Sequence, residues 1–131
     1  MRSLMRRYLF LFVFLLTTAT FSQSITFCEG VTEKGAPIKA SEVFSISANG
    51  SYFYFLVKLP YTVSCEKVSF EIYRIEEDYE SYETTITMDT KPDWAWFYKQ
   101  VTFYQSGWFR VYVRDCSETV LTSGVVQVKF K

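Results

Sequence analysis

The chain is predicted to be all-β, an antiparallel β-sandwich of about seven to eight strands in one domain. Three observations carry this. Short alternating runs rich in Val, Ile, Phe, Tyr and Thr recur between turn signals from Ile25 to Phe130, the pattern of sandwiches and barrels. No segment longer than a turn has the 3.6-residue period of an amphipathic helix. Once an N-terminal leader is set aside, about 109 residues remain, the size of one domain with one modest core.

The leader is read over residues 1–22 and the domain over residues 23–131. Arg2, Arg6 and Arg7 precede the apolar run Leu9 to Leu16, and small and polar residues follow from Thr17 to Ser22. That is the order of a secretory signal peptide, with cleavage expected between Ser22 and Gln23. The apolar run is shorter than the roughly 20 residues needed to span a bilayer, so no membrane span is expected. The expected location is secreted or periplasmic. Without the three leader arginines, 11 basic residues stand against 14 acidic ones. A net charge of about −3 offers no basic surface for nucleic acid.

Eight strands follow in order. Ile25 to Cys28 is the first, and a connection containing Gly30, Gly35 and Pro37 follows it. Val43 to Ser47 and Tyr52 to Leu59 flank Asn49-Gly50, a dipeptide that favours a tight hairpin because both turn positions need positive φ. Asn49-Gly50-Ser51 also matches the N-glycosylation pattern. Lys67 to Ile75 is the fourth strand, and the acidic stretch Glu76, Glu77, Asp78, Glu80 reads as a solvated loop. The fifth strand runs from about Tyr82 to Met88 and the sixth from Trp94 or Trp96 to Tyr104. Trp108 to Arg114 is the seventh. Thr119 to Phe130 is the last, with an irregularity expected at Ser123 and Gly124.

Alternation assigns the faces, because residues i and i+2 share one side of a strand. Phe53, Phe55, Val57, Leu59, Val68, Phe70, Ile72, Phe97, Val101, Phe103, Phe109, Val111 and Val113 turn inward. Tyr52, Tyr54, Trp96, Tyr98 and Tyr104 turn outward, as do Trp108, Arg110, Tyr112 and Arg114. Strict alternation also sends Lys99 inward, which marks a candidate bulge between Tyr98 and Val101.

The residue types exclude much chemistry. The chain has no histidine, which removes the usual general base, the Ser-His-Asp and Cys-His arrangements and nearly all zinc sites. No glycine-rich phosphate loop is present. Ser64-Cys65-Glu66-Lys67 fits the S-x-x-K pattern of penicillin-recognising enzymes, but the companion motifs are missing. The acids from Glu76 to Glu83 lack the spacing of a calcium loop. No catalytic residue, metal or cofactor is therefore expected.

The segment Tyr104-Gln105-Ser106-Gly107-Trp108-Phe109-Arg110-Val111-Tyr112-Val113-Arg114-Asp115 resembles the end of bacterial extracellular immunoglobulin-like domains. There a turn and a glycine lead into an alternating strand and a polar loop, and the likeness extends from Tyr104 to Lys131. Phe109 stands where such domains often carry Tyr, and the cysteines are not placed mid-strand as in antibody domains. The resemblance implies an immunoglobulin-like sandwich in which the third and sixth strands are neighbours. Tyr52, Tyr54, Trp96 and Tyr98 would then form one outward aromatic patch, with Trp108, Arg110 and Tyr112 as further ligand-binding candidates. It also implies that the loops carrying Cys65 and Cys116 share one end of the sandwich. Cys65 with Cys116 is the preferred disulfide, Cys28 is a rival, and the leftover thiol is expected to be buried. The function expected from these features is a secreted, noncatalytic interaction module binding a protein through its sheet surface. A carbohydrate-binding module using the outward Trp and Tyr is the alternative.

Overall fold

The computed structural model describes residues 22–131. The leader read over residues 1–22 lies outside the described residues except for Ser22. Nine strands are present: β1 Ser24–Val31, β2 Pro37–Ala40, β3 Val43–Ile46, β4 Ser51–Lys58, β5 Lys67–Ile75, β6 Glu80–Asp89, β7 Trp96–Phe103, β8 Gly107–Arg114 and β9 Val120–Phe130. They form a four-stranded sheet of order β2-β1-β4-β7 and a five-stranded sheet of order β3-β9-β8-β5-β6. The fold is an all-β sandwich, as expected. No helix among the described residues is long and apolar enough to cross a membrane.

Apart from Lys99, every residue that alternation turned inward lies in the core between the sheets. Phe53, Phe55, Phe70 and Phe97 are its largest fully buried side chains. Aromatic contacts run within and between the layers: Phe55 meets Phe27 of its own sheet at 5.2 Å and Phe70 of the other at 5.5 Å, and Phe53 stacks on Phe103 of its own sheet at 4.9 Å and Phe44 of the other at 4.1 Å. Such offset and edge contacts add specificity to the burial of large apolar area. Cys65 and Cys116 are bonded, and Cys28 is a buried free thiol. The bond is compatible with an oxidising compartment.

Four local expectations need correction. Val43–Ile46 does not form a hairpin with β4. It joins the opposite sheet, parallel to β9, from Val43↔Gln127 to Ile46↔Phe130. Gly50 has φ +96° while Asn49 does not enter positive φ, so the turn is not the doubly left-handed type that folds two strands flat against each other. It is closed by Gly50 N donating to Ser47 O and carries the chain from one sheet to the other. Second, the connection expected after Cys28 is itself a hairpin, with β1 continuing to Val31 and pairing with β2.

Third, the irregularity in β9 is displaced. Ser123 and Gly124 pair regularly with Tyr112 and Val111, and the register shifts where Arg114 meets Val120. Gly124 is small for another reason: an added Cβ would lie 2.8 Å from Ile25 and 3.2 Å from Phe27, so the glycine admits β1 side chains into the core. Fourth, β4 and β7 pair without interruption from Ser51↔Phe103 to Lys58↔Trp96, so there is no bulge at Lys99. Lys99 points inward and is half-buried. β7 is an edge strand, and an inward-pointing charge on an edge discourages pairing with another chain.

Candidate binding face

The continuous β4–β7 ladder positions the aromatic row. Because Tyr54 pairs with Gln100 and Leu56 with Tyr98, the outward side chains of the two strands interleave on one surface. Tyr52 and Tyr54 meet edge to face at 6.0 Å, and Tyr54 and Tyr98 at 5.9 Å. Tyr98 and Trp96 lie 6.3 Å apart and 14° from parallel. The four rings thus touch in one chain. Tyr52 is 57% and Tyr98 46% exposed, while Tyr54 and Trp96 are half-buried. Tyr54 OH donates a long 3.4 Å hydrogen bond to Gln100 Oε1.

Trp96 is partly covered by the chain itself. A Cβ on Gly35 would stand 2.7 Å from Trp96 Cδ2, and Gly35 has φ +81°. Only glycine satisfies both the left-handed backbone and the close approach to the indole. On its other side the row runs over the sheet edge into an open groove of about 800 Å³, lined by Met88, Asp93, Trp94, Trp96, Phe97 and Tyr98. The groove lies where the edge strand β7 faces the edge strand β6 of the other sheet. Its wall is tied to the disulfide: Val63 N donates to Trp94 O, Ser64 N to Pro92 O, and Thr90 Oγ1 to Cys65 O.

Trp108, Arg110 and Tyr112 do not join this row. They belong to the five-stranded sheet and point away from the same core, so the structure places them on the opposite outer face of the sandwich. Trp108 is 52% exposed. Both of the others are tied to Glu80: Arg110 Nε lies 2.7 Å from Glu80 Oε2, and Tyr112 OH donates to Glu80 Oε1 at 2.9 Å. Tyr73, which the sequence reading did not single out, bridges Tyr82 at 5.7 Å and Tyr112 at 5.4 Å. Alternation with the inward Val68, Phe70 and Ile72 turns Tyr73 outward, but Tyr112, one of its two ring partners, lies on a strand whose pairing with β5 is set far away in sequence. Glu83 pairs with Arg74 and Glu71 with Arg114. These carboxylates hold strands together across the sheet.

The hydrogen bond from Arg110 holds the Glu80 carboxyl below the ordinary glutamate range, and Tyr112 adds to the effect. Burial, and then Glu80, pushes the Tyr112 hydroxyl up. A lowered folded-state pKa stabilises the fold fully above the ordinary value of about 4.3, and the gain is lost as pH falls through the lowered value. Glu80→Gln is therefore expected to be less stable than the native protein at pH 7, by under about 1 kcal/mol for a surface pair. The two should converge as pH falls below the ordinary glutamate range and Glu80 becomes protonated. Urea unfolding of both proteins from pH 7 to pH 2.5 measures this.

No protein-family model and no curated protein matches this chain.

Proposed function

We propose that the protein is an exported, noncatalytic interaction module with an immunoglobulin-like sandwich, and that it binds a protein partner through the aromatic face of its four-stranded sheet. The strand order supports the architecture: β1-β4-β7 opposite β9-β8-β5-β6 parallels the A-B-E and G-F-C-C′ strands of immunoglobulin variable-type domains. Export is supported by the leader composition and by the disulfide, which suits an oxidising compartment.

The observation that carries the binding reading is the row Tyr52–Tyr54–Tyr98–Trp96, whose rings stand at 89°, 65° and 14° to one another and which continues into an edge groove. Rings at such different angles make a rough apolar surface with polar tips, the composition favoured at the centre of protein interfaces. A sugar ring needs a flat platform. Only Trp96 and Tyr98 approach one, and that pair is the basis for a carbohydrate-binding alternative. Tyr98→Ala is expected to weaken binding of the partner by about 2 kcal/mol, as for an interface anchor. Tyr82→Ala, at a still more exposed ring on the opposite face, should leave affinity unchanged. Calorimetric titration of both variants with the partner decides, and equal losses would remove the assignment. Loss of binding to a soluble oligosaccharide, rather than to a protein, would establish the alternative.

A further inference from the structure

Outside the core between the sheets lies a second, smaller buried cluster. Cys28 is 0% and Leu56 1% exposed, yet their chain neighbours Phe27, Phe55 and Val57 fill the inter-sheet core. Alternation therefore turns Cys28 and Leu56 to the outer face of the four-stranded sheet. What covers them follows from the path of β1. β1 pairs with β4 only as far as Cys28↔Tyr54, and beyond that point it pairs with β2 alone, through Gly30↔Ile38 and Val31↔Pro37. The turn of this hairpin sets Gly35 against the Trp96 indole. Since β4 lies between β1 and β7, a hairpin that leaves β1 at Cys28 and rests its tip on Trp96 crosses β4 on the outer face, over Leu56.

The hairpin is lightly held. β2 has no strand neighbour but β1, and all four of its residues are exposed. The tip is closed by its own bonds, Thr32 N to Ala36 O and Gly35 N to Thr32 O. Its seat on Trp96 is a residue without a side chain, and Lys39 sits at φ 52°, a conformation unfavourable for a lysine. A unit with so few buried apolar contacts opens at far lower cost than the sandwich.

We propose that the β1–β2 hairpin is a lid closed over the Trp96 end of the aromatic row, and that its opening uncovers Leu56 and Trp96 for the protein partner. This rests on the row being the binding face. Cys28, beneath the base of the lid, reports opening through the rate at which N-ethylmaleimide labels it in the native protein. Gly35→Val, which drives a side chain into Trp96, is expected to speed labelling by about 10-fold or more in the absence of urea, where the variant's own urea transition shows the sandwich to be folded. The fluorescence of anilinonaphthalene sulfonate (ANS), an apolar-surface probe, should rise in Gly35→Val and fall back in Gly35→Val/Trp96→Ala. Labelling that follows global unfolding in both proteins, or unchanged ANS fluorescence, would overturn the lid. If Gly35→Val does not fold, hydrogen exchange of the native chain serves: amides from Thr32 to Ala40 should exchange well before those of β4 and β7, and equal protection refutes the proposal. None of these readouts needs the partner, so failure of the lid is told apart from failure of the binding face, which is read from Tyr98→Ala.

Discussion

Phe55→Ala is expected to destabilise the fold by about 4 kcal/mol, the range for deleting a buried phenylalanine from a core that cannot collapse around the void. Phe55 is fully buried and touches the rings of Phe27, Phe53, Phe70 and Phe103. Phe70 belongs to the opposite sheet, so one of the four lost contacts joins the two layers. Phe130→Ala is the control, since that ring is exposed, and its cost should stay within about 0.5 kcal/mol. Chemical denaturation of both variants measures the difference. A loss below about 1 kcal/mol for Phe55→Ala would mean that the two sheets do not depend on this aromatic cluster.

The double variant Cys65→Ala/Cys116→Ala is expected to lose a similar amount. The bond joins residues 51 positions apart, and closing a loop of about that length stabilises a fold by about 4 kcal/mol in the chain-entropy account. For a domain of this size the thermal midpoint should fall by at least about 15 °C. The damage should also be local before it is global, because Cys65 O accepts from Thr90 and the adjoining Val63 and Ser64 hold the segment from Pro92 to Trp94. That segment forms one wall of the edge groove. Thermal unfolding of the double variant, and of the native protein with and without reductant, checks the prediction. An unchanged midpoint would show that the bridge adds nothing to the folded state.

Period-2 alternation read the part of the inter-sheet core that comes from β4, β5, β7 and β8, but not the contributions of Phe27, Phe44, Ile46, Val126 and Val128. Side chains such as Phe53, Phe70 and Val111 have no choice of face once one neighbour is buried. The same logic turned Tyr52, Tyr54, Trp96 and Tyr98 outward, and the resemblance to immunoglobulin-like domains implied that their strands are neighbours. It could not place that surface relative to Trp108, Arg110 and Tyr112, because which sheet a strand joins depends on pairing far away in sequence. Asn49-Gly50 misled for the same reason. A turn signal is local, but β3 leaves β4 to pair with β9, more than 80 residues later. Residue type pointed to burial of the leftover thiol, Cys28, but its place on the outer face and the burial of Leu56 had no local signal. Both lie on strand positions that face solvent by alternation, and only the return of the β1–β2 hairpin across β4 covers them. Gly35 reads as an ordinary turn glycine until Trp96, 61 residues away, is seen against it. Arg110 looked free to bind a ligand because Glu80, its partner, lies on another strand.

The most direct test of the proposed binding face is site-specific photocrosslinking in the cell that makes the protein. A benzophenone amino acid would replace Tyr52, Tyr98 or Tyr82 in turn. All three side chains are exposed, so each substitution is expected to leave the fold intact. The first two lie on the aromatic row and the third on the opposite face. The account predicts one discrete protein adduct from Tyr52 and Tyr98 and none from Tyr82. An adduct from Tyr82 alone, or none from any position, would contradict it.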